Sequence, residues 1–223
     1  MNVITARKAK PYKGIAMEGI LAKWYAKNTG KNLTEFSSLA KRIAAQLQPG
    51  DAVLEIAPGP GYLAIELARF QSYRIAGIDI SYSFVSIARE NAACAGVQVD
   101  FRQGDAAALP FETGSLDFIV CRAAFKNFSD PVGALREMHR VLRSGKKAMI
   151  IDLRSDASDQ SIADEVAKMH LGQVGMFLTR TVLGALRKRA YSKEEFQRMI
   201  KATPFRHGDI VEQPLGFEIG LVK

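Results

Sequence analysis

The segment from Val53 to Ala68, VLEIAPGPGYLAIELA, constrains the fold more than any other part of the chain. Its first residues are apolar apart from Glu55, as in a buried strand, and the glycine-rich turn Gly59-Pro60-Gly61 follows. Apolar residues then recur with helical spacing. A strand that leads through a glycine turn into a helix places the helix N-terminus beside a ligand. The segment therefore predicts a nucleotide-binding α/β unit.

Strands and helices are predicted to alternate from this segment onward. We predict strands at Ala52–Ile56, Arg74–Ile80, Val97–Arg102, Leu116–Arg122 and Ala148–Leu153. We predict helices at Tyr62–Phe70, Phe84–Ala95 and Pro131–Leu142. Such alternation is typical of the α/β class, with a doubly wound, Rossmann-like parallel sheet and helices on both faces.

The flanking segments complete a single predicted domain. Thr34 is expected to cap an N-terminal helix that Pro49-Gly50 ends, and Ser192 with Glu195 forms a capping box for a late helix. Two β-like segments close the chain, near 208–212 and 216–222. The predicted parts are an N-terminal helical cap (1–50), a cofactor-binding core (51–155), a helical cover insertion (156–190) and a C-terminal helix with strands (191–223).

Composition and charge narrow the class of protein. The 223 residues are 48% hydrophobic and 24% charged, without a signal-peptide pattern or a stretch of transmembrane length. Two unpaired cysteines and three scattered histidines predict a cytoplasmic protein without a metal site. The net charge of +8 is concentrated before Asp51 and between Arg180 and Arg206. These basic flanks suit an anionic substrate or, less readily, a nucleic acid, although solvated helix faces would look the same.

Two kinds of nucleotide fit the glycine turn at first sight. Gly59, Gly61 and Ala64 match the pattern GxGxxA, and Asp79 follows at the end of the second predicted strand, as in an NAD-binding unit. However, Pro58 and Pro60 remove two N–H donors that a pyrophosphate would need.

Two acidic positions also favour another ligand. The carboxylate of Glu55 would repel a pyrophosphate but suits an ammonium group, such as that of S-adenosylmethionine. Asp105, in the segment Gly104-Asp105-Ala106 after the third strand, can accept a hydrogen bond from an adenine amino group. The pattern therefore favours S-adenosylmethionine over NAD.

Four motifs in order carry a family resemblance over roughly half of the chain. They are LEIAPGPGYLAIELA, GIDIS at Gly77–Ser81, GDAAALPFETGSLDFIVCRAAFKNF from Gly104, and LREMHRVLRSGKKAMIIDL from Leu135. With them the chain resembles the class I S-adenosylmethionine-dependent methyltransferases, and it is similar to the group that includes the ubiquinone and menaquinone C-methyltransferases. The resemblance implies a seven-stranded sheet whose last strand runs antiparallel between its neighbours.

The resemblance also implies roles for individual residues. Glu55 would contact the methionine ammonium, Asp79 both ribose hydroxyls, and Arg122 the methionyl end of the cofactor. The remaining cofactor-binding candidates lie in the glycine turn and at the adenine end: Ala57, Gly59, Gly61, Tyr62, Ile80, Gly104, Asp105 and Ala106. One departure is that Ala57 replaces the first glycine of the family's E-x-G-x-G-x-G run.

The acceptor is less constrained than the cofactor. The N-terminal segment and the insertion are expected to form its pocket, with aromatic walls from Tyr12, Trp24, Tyr25, Phe125 and Phe177. A small molecule, anionic or aromatic, is the leading acceptor class. RNA or protein is the first alternative, and an NAD-dependent oxidoreductase or inactive nucleotide binder is the second. The oligomeric state is not predicted.

No catalytic residue is identified from the sequence. Methyl transfer is an in-line displacement in which positioning and exclusion of water supply much of the rate, and a base is needed only if the acceptor arrives protonated. Cys121 and His139 are interpreted as structural, and His170 is only a weak candidate base. The fourth strand continues as CRAAFKNF, without the DPPY-type motif of adenine-N6 methyltransferases.

Overall fold

The fold is that of a computed structural model in which Lys13 and residues 17–30, 33–168 and 172–223 are described. Tyr12 and His170, both named above as candidates, lie outside these residues. The described helices are α1 Gly19–Thr29, α2 Leu33–Ala44, α3 Tyr62–Ala68, α4 Tyr82–Cys94, α5 Pro131–Val141, α6 Asp159–Ala167, α7 Gln173–Arg187 and α8 Lys193–Lys201. The described strands are β1 Ala52–Ile56, β2 Arg74–Asp79, β3 Asp100–Gln103, β4 Leu116–Arg122, β5 Leu142–Leu153, β6 Asp209–Glu212 and β7 Gly216–Val222.

The described strands form one sheet in the order β3-β2-β1-β4-β5-β7-β6. Strands β1 to β5 are parallel, whereas β7 runs antiparallel to both β5 and β6. The predicted fold class is confirmed, including an antiparallel last strand inserted between its neighbours. The strand order reverses between β1 and β4, which is where open α/β sheets leave a crevice at the carboxyl ends of their strands.

Two apolar layers cover the faces of the sheet. On one face, α2, α3 and α4 pack their buried residues, such as Ile43 and Leu63, against Val53 and Phe101. On the other face, α5 and α8 pack against the alternate residues of the strands, of which Ile119 is one. Because successive strand residues point to opposite faces, this arrangement leaves both faces of the central strands dry.

Local capping fixes where the helices next to the crevice begin. Ser81 Oγ accepts the N–H of Phe84 at 3.1 Å and so caps α4, and Asp130 caps α5 by accepting the N–H of Gly133 at 3.0 Å. The predicted capping box of α8 is confirmed.

Several predicted boundaries differ from the observed ones, and three of the differences have a clear local cause. Thr34 does not cap α2, because the helix already includes Leu33. Strand β3 begins at Asp100 instead of Val97, since the N–H of Val97 bonds the Ala92 carbonyl at the end of α4. Strand β5 begins at Leu142 because α5 ends at Val141 and the chain turns directly into the sheet.

Helices α6 and α7 occupy the predicted insertion. An apolar stripe on a helix normally faces a core. Helix α7 has such a stripe, but its residues Phe177, Leu178 and Val182 are exposed to solvent. The stripe on α7 therefore remains largely uncovered in this structure.

Candidate functional site

A cavity of about 730 Å³ opens at the carboxyl ends of β1, β2 and β4, where the strand order reverses. Ten of the eleven predicted cofactor-binding residues line it; Gly61 does not. Residues of α1 and α7 form the outer wall. The volume lies within the range of ordinary small-molecule sites.

The glycine turn keeps its N–H groups occupied within the protein. Pro58 and Pro60 have no N–H, the Gly59 N–H donates to Asp79 Oδ2 at 2.9 Å, and the Gly61 N–H donates to the Pro58 carbonyl at 3.0 Å. A pyrophosphate would need free donors at this turn. Residues 58–61 therefore suit a ligand without a diphosphate.

The two glycines of the turn serve different purposes. Both have left-handed backbone, with φ of +54° at Gly59 and +81° at Gly61. A Cβ at Gly59 would meet nothing within 4 Å, whereas at Gly61 it would lie 2.6 Å from the Phe101 ring and 2.9 Å from Ala88. Gly59 thus allows a ligand to approach, and Gly61 allows α3 to pack on the sheet.

We expect alanine at these positions to separate folding from ligand binding. Gly61→Ala should lower the free energy of unfolding by roughly 3 kcal/mol, because backbone strain and overpacking add. Gly59→Ala should cost only about 1 kcal/mol through its backbone and weaken ligand binding instead. Urea denaturation and ligand calorimetry measure the two effects, with Gly96→Ala (φ +67°, open space) as the control for strain alone. Equal stability losses at Gly61 and Gly96 would contradict this division.

Ala57, which replaces the first family glycine, also adopts left-handed backbone, with φ of +54°. Its N–H donates to the Ile78 carbonyl at 2.7 Å and ties the turn to β2. The turn therefore keeps its conformation without that glycine, at the modest strain that an alanine incurs there.

Glu55 is buried at the end of β1, with 4% of its surface exposed, and it lines the cavity. Its Oε2 accepts the N–H of Ala64 in the first turn of α3 at 2.8 Å. Burial raises the pKa of this carboxyl group to about 8. A cationic ligand group beside Glu55 would stabilise its carboxylate and reverse part of that shift.

Asp79 lies at the end of β2 and holds two backbone segments together. Its Oδ2 accepts the Gly59 N–H and its Oδ1 accepts the Ser81 N–H, each at 2.9 Å. Burial raises the pKa of Asp79 to about 6, so the group is mainly ionised at neutral pH. Ile80, beside it on the cavity wall, keeps 37% of its surface exposed and offers an apolar surface to a ligand.

The loop after β3 forms another wall of the cavity. Gly104 is tied to β2 because its N–H donates to the Asp79 carbonyl at 2.9 Å. Asp105 Oδ1 accepts the N–H of Ala107 at 2.9 Å, so part of its carboxylate already stabilises the turn. Asp105 and Ala106 both line the cavity, as expected of residues that read the edge of a base.

Arg122 lines the cavity at the end of β4, but its guanidinium is already engaged. It forms an ion pair with Glu35 of α2 and lies 4.7 Å from the ring centroid of Phe36. Arg122 therefore brings a positive charge to the site while it also fastens α2 beside β4.

Helix α1 is fastened over the cavity by specific contacts. The Glu18 carboxylate accepts the N–H groups of Tyr82 and Ser83, at 3.1 and 3.0 Å, at the start of α4. The hydroxyl of Tyr62 donates to the Ala26 carbonyl at 2.9 Å. Tyr62 therefore lines the cavity and also holds α1 beside it. Its position in the glycine motif did not indicate this second role.

The far end of the cavity contains polar groups that the sequence did not identify. Lys126 and Asp152 form a buried ion pair of 2.8 Å, and Lys126 and Asn127 both line the cavity. Asn127 is 9% exposed, and its Oδ1 has no hydrogen-bond partner among the described residues. A buried amide oxygen without a partner among the described residues is unusual, and it can accept a donor from water or from a bound molecule. In the sequence, only the position of Asn127 just after β4 could have indicated that it belongs to the site.

The other aromatic candidates lie in three places: the cavity wall, the core and the exposed surface. Trp24 and Tyr25 line the cavity as expected, whereas Phe125 is fully buried in the core and Phe177 lies outside the cavity. The last two are therefore not walls of the cavity.

Cys121 and His139 do not bring reactive groups into the cavity. Cys121 is completely buried, and burial raises the pKa of its thiol well above the usual value. His139 on α5 packs edge-on against Phe205, with 5.0 Å between the ring centroids. Neither residue is among those that line the cavity.

The described residues form neither a metal site nor a membrane-spanning helix. In that part of the chain, no group of three or more His, Cys, Asp or Glu side chains is placed to hold a metal ion. No helix among the same residues has the length and apolarity needed to cross a membrane.

Comparison with known proteins places this site in a family. Residues 54–150 match the family model described as a methyltransferase domain. The chain is 30% identical over 168 residues to a demethylmenaquinone methyltransferase from Deinococcus radiodurans, a match that covers 69% of this chain and 67% of that protein. It is 36% identical over 101 residues to a demethylmenaquinone methyltransferase from Thermus thermophilus, covering 45% of this chain and 46% of that one. The match thus spans about half to two thirds of these relatives.

A solved structure of a protein from Methanococcus maripaludis has the same fold. It superposes with a TM-score of 0.72 at 24% sequence identity, over 99% of this chain and 97% of that one. The agreement extends over the helical insertion and the C-terminal strands as well as the matched core.

Proposed function

We infer that this chain, which belongs to the class I S-adenosylmethionine-dependent methyltransferases, transfers a methyl group to a small, largely apolar molecule. The observation that carries this proposal is the shared cavity: buried carboxylates lie at the ends of β1 and β2, and after β4 lies an amide oxygen that has no partner among the described residues. One cavity therefore offers partners for a cationic nucleoside and for a second molecule.

The residues at the first end fit S-adenosylmethionine. We assign Glu55 to the ammonium group, Asp79 to the ribose hydroxyls, and Ile80 with Asp105 and Ala106 to the adenine. Three structural observations support this assignment: the acid at Glu55 is buried, the turn at 58–61 lacks free N–H donors, and Gly59 leaves open space. The same lack of donors argues against NAD.

The bound cofactor supplies an electrophilic methyl group on a sulfonium. The protein then needs to position the acceptor and exclude water, because the donor is already activated. The aromatic residues Tyr25, Phe36 and Phe128 line the cavity and suit both a sulfonium and a flat acceptor. Helix α1, held by Glu18 and Tyr62, covers part of the cavity.

The second end of the cavity suits an acceptor that is mostly apolar and carries at least one hydrogen-bond donor. Asn127 would accept that bond, and Lys126 beside it, paired with Asp152, fixes the chain at the end of β4. The demethylmenaquinones named for the relatives, in their reduced and hydroxylated form, have this chemistry. We therefore propose a hydroxylated aromatic ring as the acceptor class.

We expect Asn127→Leu to impair methyl transfer while stabilising the protein. The variant removes a buried oxygen that has no partner within the described part of the chain, so the free energy of unfolding should rise by about 1 kcal/mol. It should lower kcat/KM for a quinol-type acceptor about tenfold, through loss of one hydrogen bond. Transfer of labelled methyl groups and urea denaturation measure the two effects, and calorimetry with S-adenosylhomocysteine should show unchanged affinity. Lower stability with unaltered turnover would mean that Asn127 serves only the fold.

We expect cofactor affinity to rise with pH because of Glu55. Its pKa is about 8 in the free protein, and a neighbouring ammonium group favours the carboxylate, so binding releases a proton. Between pH 7 and 8 the affinity for S-adenosylhomocysteine should rise about fivefold. Calorimetry in buffers of different ionisation enthalpy measures the proton release.

The same group makes the free protein less stable as pH rises. Because the pKa of Glu55 is raised from 4.5 to about 8, its favourable contribution is complete below pH 4.5 and is lost as pH rises through 8. Glu55→Gln should flatten both pH profiles between pH 6 and 8. An unchanged affinity profile in this variant would show that Glu55 does not face the ammonium group.

A further inference from the structure

The outer surface of α1 carries large apolar side chains beside lysines. Ile20 and Trp24 are 87% and 62% exposed, and Lys23 and Lys27 are exposed as well. The four residues have the spacing i, i+3, i+4 and i+7, so they share one face of the helix. Exposed tryptophan and lysine on one helix face are typical of helices that lie in a lipid–water interface.

Helix α7 carries a similar surface. Phe177 is 70% exposed, and Leu178 and Val182 are each 56% exposed. Arg180 is exposed on the same helix, and Lys188 and Arg189 are exposed directly after it. Isolated exposed apolar residues need no explanation, but a cluster beside positive charges does.

Both surfaces border the mouth of the same cavity. Trp24 and Tyr25 of α1 line the cavity, as do Val182 and Leu186 of α7. Trp24 and Val182 are therefore at once exposed to solvent and part of the cavity wall. We call these exposed residues of α1 and α7, with their flanking lysines and arginines, the rim.

Charge complementarity decides which partner the rim fits. Neither Gly19–Thr29 nor Gln173–Arg187 contains an acidic residue, and the chain as a whole carries a net charge of +8. A second copy of the chain would bring positive rims together, which is unfavourable. An anionic lipid surface satisfies both the lysines and the apolar side chains.

We propose that the rim docks onto an anionic lipid bilayer, so that an apolar acceptor enters the cavity from the membrane. The identity of the apolar acceptor rests on the function proposed above, but the docking itself does not. In the docked protein Trp24 and Phe177 insert below the headgroups, and Lys23, Lys27 and Arg180 lie among the phosphates.

Vesicle co-sedimentation of the full chain tests the proposal. We expect binding to vesicles of phosphatidylcholine with 30% phosphatidylglycerol, at least roughly tenfold stronger than to phosphatidylcholine alone. The double variant Trp24→Ser, Phe177→Ser and the double variant Lys23→Gln, Lys27→Gln should each lose roughly tenfold in partitioning. The control is Val211→Ser with Val222→Ser, which removes two apolar side chains that are 55% and 51% exposed on β6 and β7, away from the rim.

Three results would overturn the docking proposal. The first is equal binding to neutral and anionic vesicles, and the second is an equal loss of vesicle binding in the rim and control variants. The third is a lack of vesicle binding together with a dimer in light scattering, if the double variant Trp24→Ser, Phe177→Ser dissociates that dimer. Calorimetry with S-adenosylhomocysteine keeps the two proposals apart. The Lys23→Gln, Lys27→Gln variant, whose residues do not line the cavity, should bind it as the unaltered chain does, and failure of the unaltered chain to bind it would count against the proposed function alone.

Discussion

Replacing Asp79 by alanine is expected to weaken the binding of S-adenosylhomocysteine by at least about 100-fold. Two hydrogen bonds to a charged carboxylate are each worth about 1.5–3 kcal/mol, and both ribose hydroxyls would lose their acceptor. The variant also leaves the buried N–H groups of Gly59 and Ser81 without the oxygens that accept them now. The glycine turn should therefore loosen at the same time.

A second substitution separates these two effects. Asp79→Asn retains one oxygen that can accept a backbone N–H, so its stability loss should be smaller while most of the loss in affinity remains. Asp117 is a matched control, because it is equally buried and accepts the N–H of Ala52 at 2.9 Å at the opposite end of the sheet. Asp117→Asn should lower stability without changing affinity. Calorimetry showing that Asp79→Asn binds as tightly as the unaltered chain would contradict the ribose assignment.

Lys126→Met is expected to lower the free energy of unfolding by about 3–5 kcal/mol. Breaking a buried ion pair leaves the remaining charge without compensation in a medium that solvates it poorly. Asp152 is 5% exposed, and Lys126 supplies both its 2.8 Å ion pair and a 2.8 Å backbone N–H to it. The variant removes the ion pair but keeps that N–H.

The control for this substitution is an exposed pair of the same chemistry. Lys168 pairs with Glu165 at 2.5 Å, but its side chain is 68% exposed. Lys168→Met should therefore leave stability nearly unchanged. Guanidinium denaturation of both variants gives the comparison. A loss of similar, small size at both positions would show that the Lys126–Asp152 pair does not stabilise the end of β4.

The cofactor end of the site could be predicted from the sequence because its residues follow regular elements. Glu55, Asp79 and Asp105 come at or just after the ends of three parallel strands, and such strand ends meet at one edge of the sheet. The alternation of strands and helices was sufficient to predict the sheet. The position of the antiparallel β7 came from the family resemblance, since no local pattern in Gly216–Val222 specifies its neighbours.

The acceptor end could not be predicted in the same way. The Oδ1 of Asn127 stands out because no described residue donates to it, and this depends on packing between distant segments. Its backbone carbonyl accepts the N–H of Lys13 at 3.1 Å, across 114 positions of the chain. Similarly, the apolar spacing of α7 predicts a helix face but does not tell whether that face meets a core or solvent.

Some residues that the motifs identify have a different role in the structure from the one that the motifs imply. Gly61 has the left-handed backbone that a glycine turn requires, yet it accommodates Phe101 and not a ligand. Arg122 lines the cavity, but it is already paired with Glu35. A motif therefore indicates where a residue lies, whereas its partners in space determine what it does.

The most direct test of the proposed function is a crystal structure of the full chain with S-adenosylhomocysteine. We predict that its ribose hydroxyls lie within hydrogen-bond distance of the Asp79 carboxylate, its amino group beside Glu55, and its sulfur towards the end of the cavity that holds Asn127. A ligand bound elsewhere, or bound with its amino group away from Glu55, would contradict the assignment of this cavity.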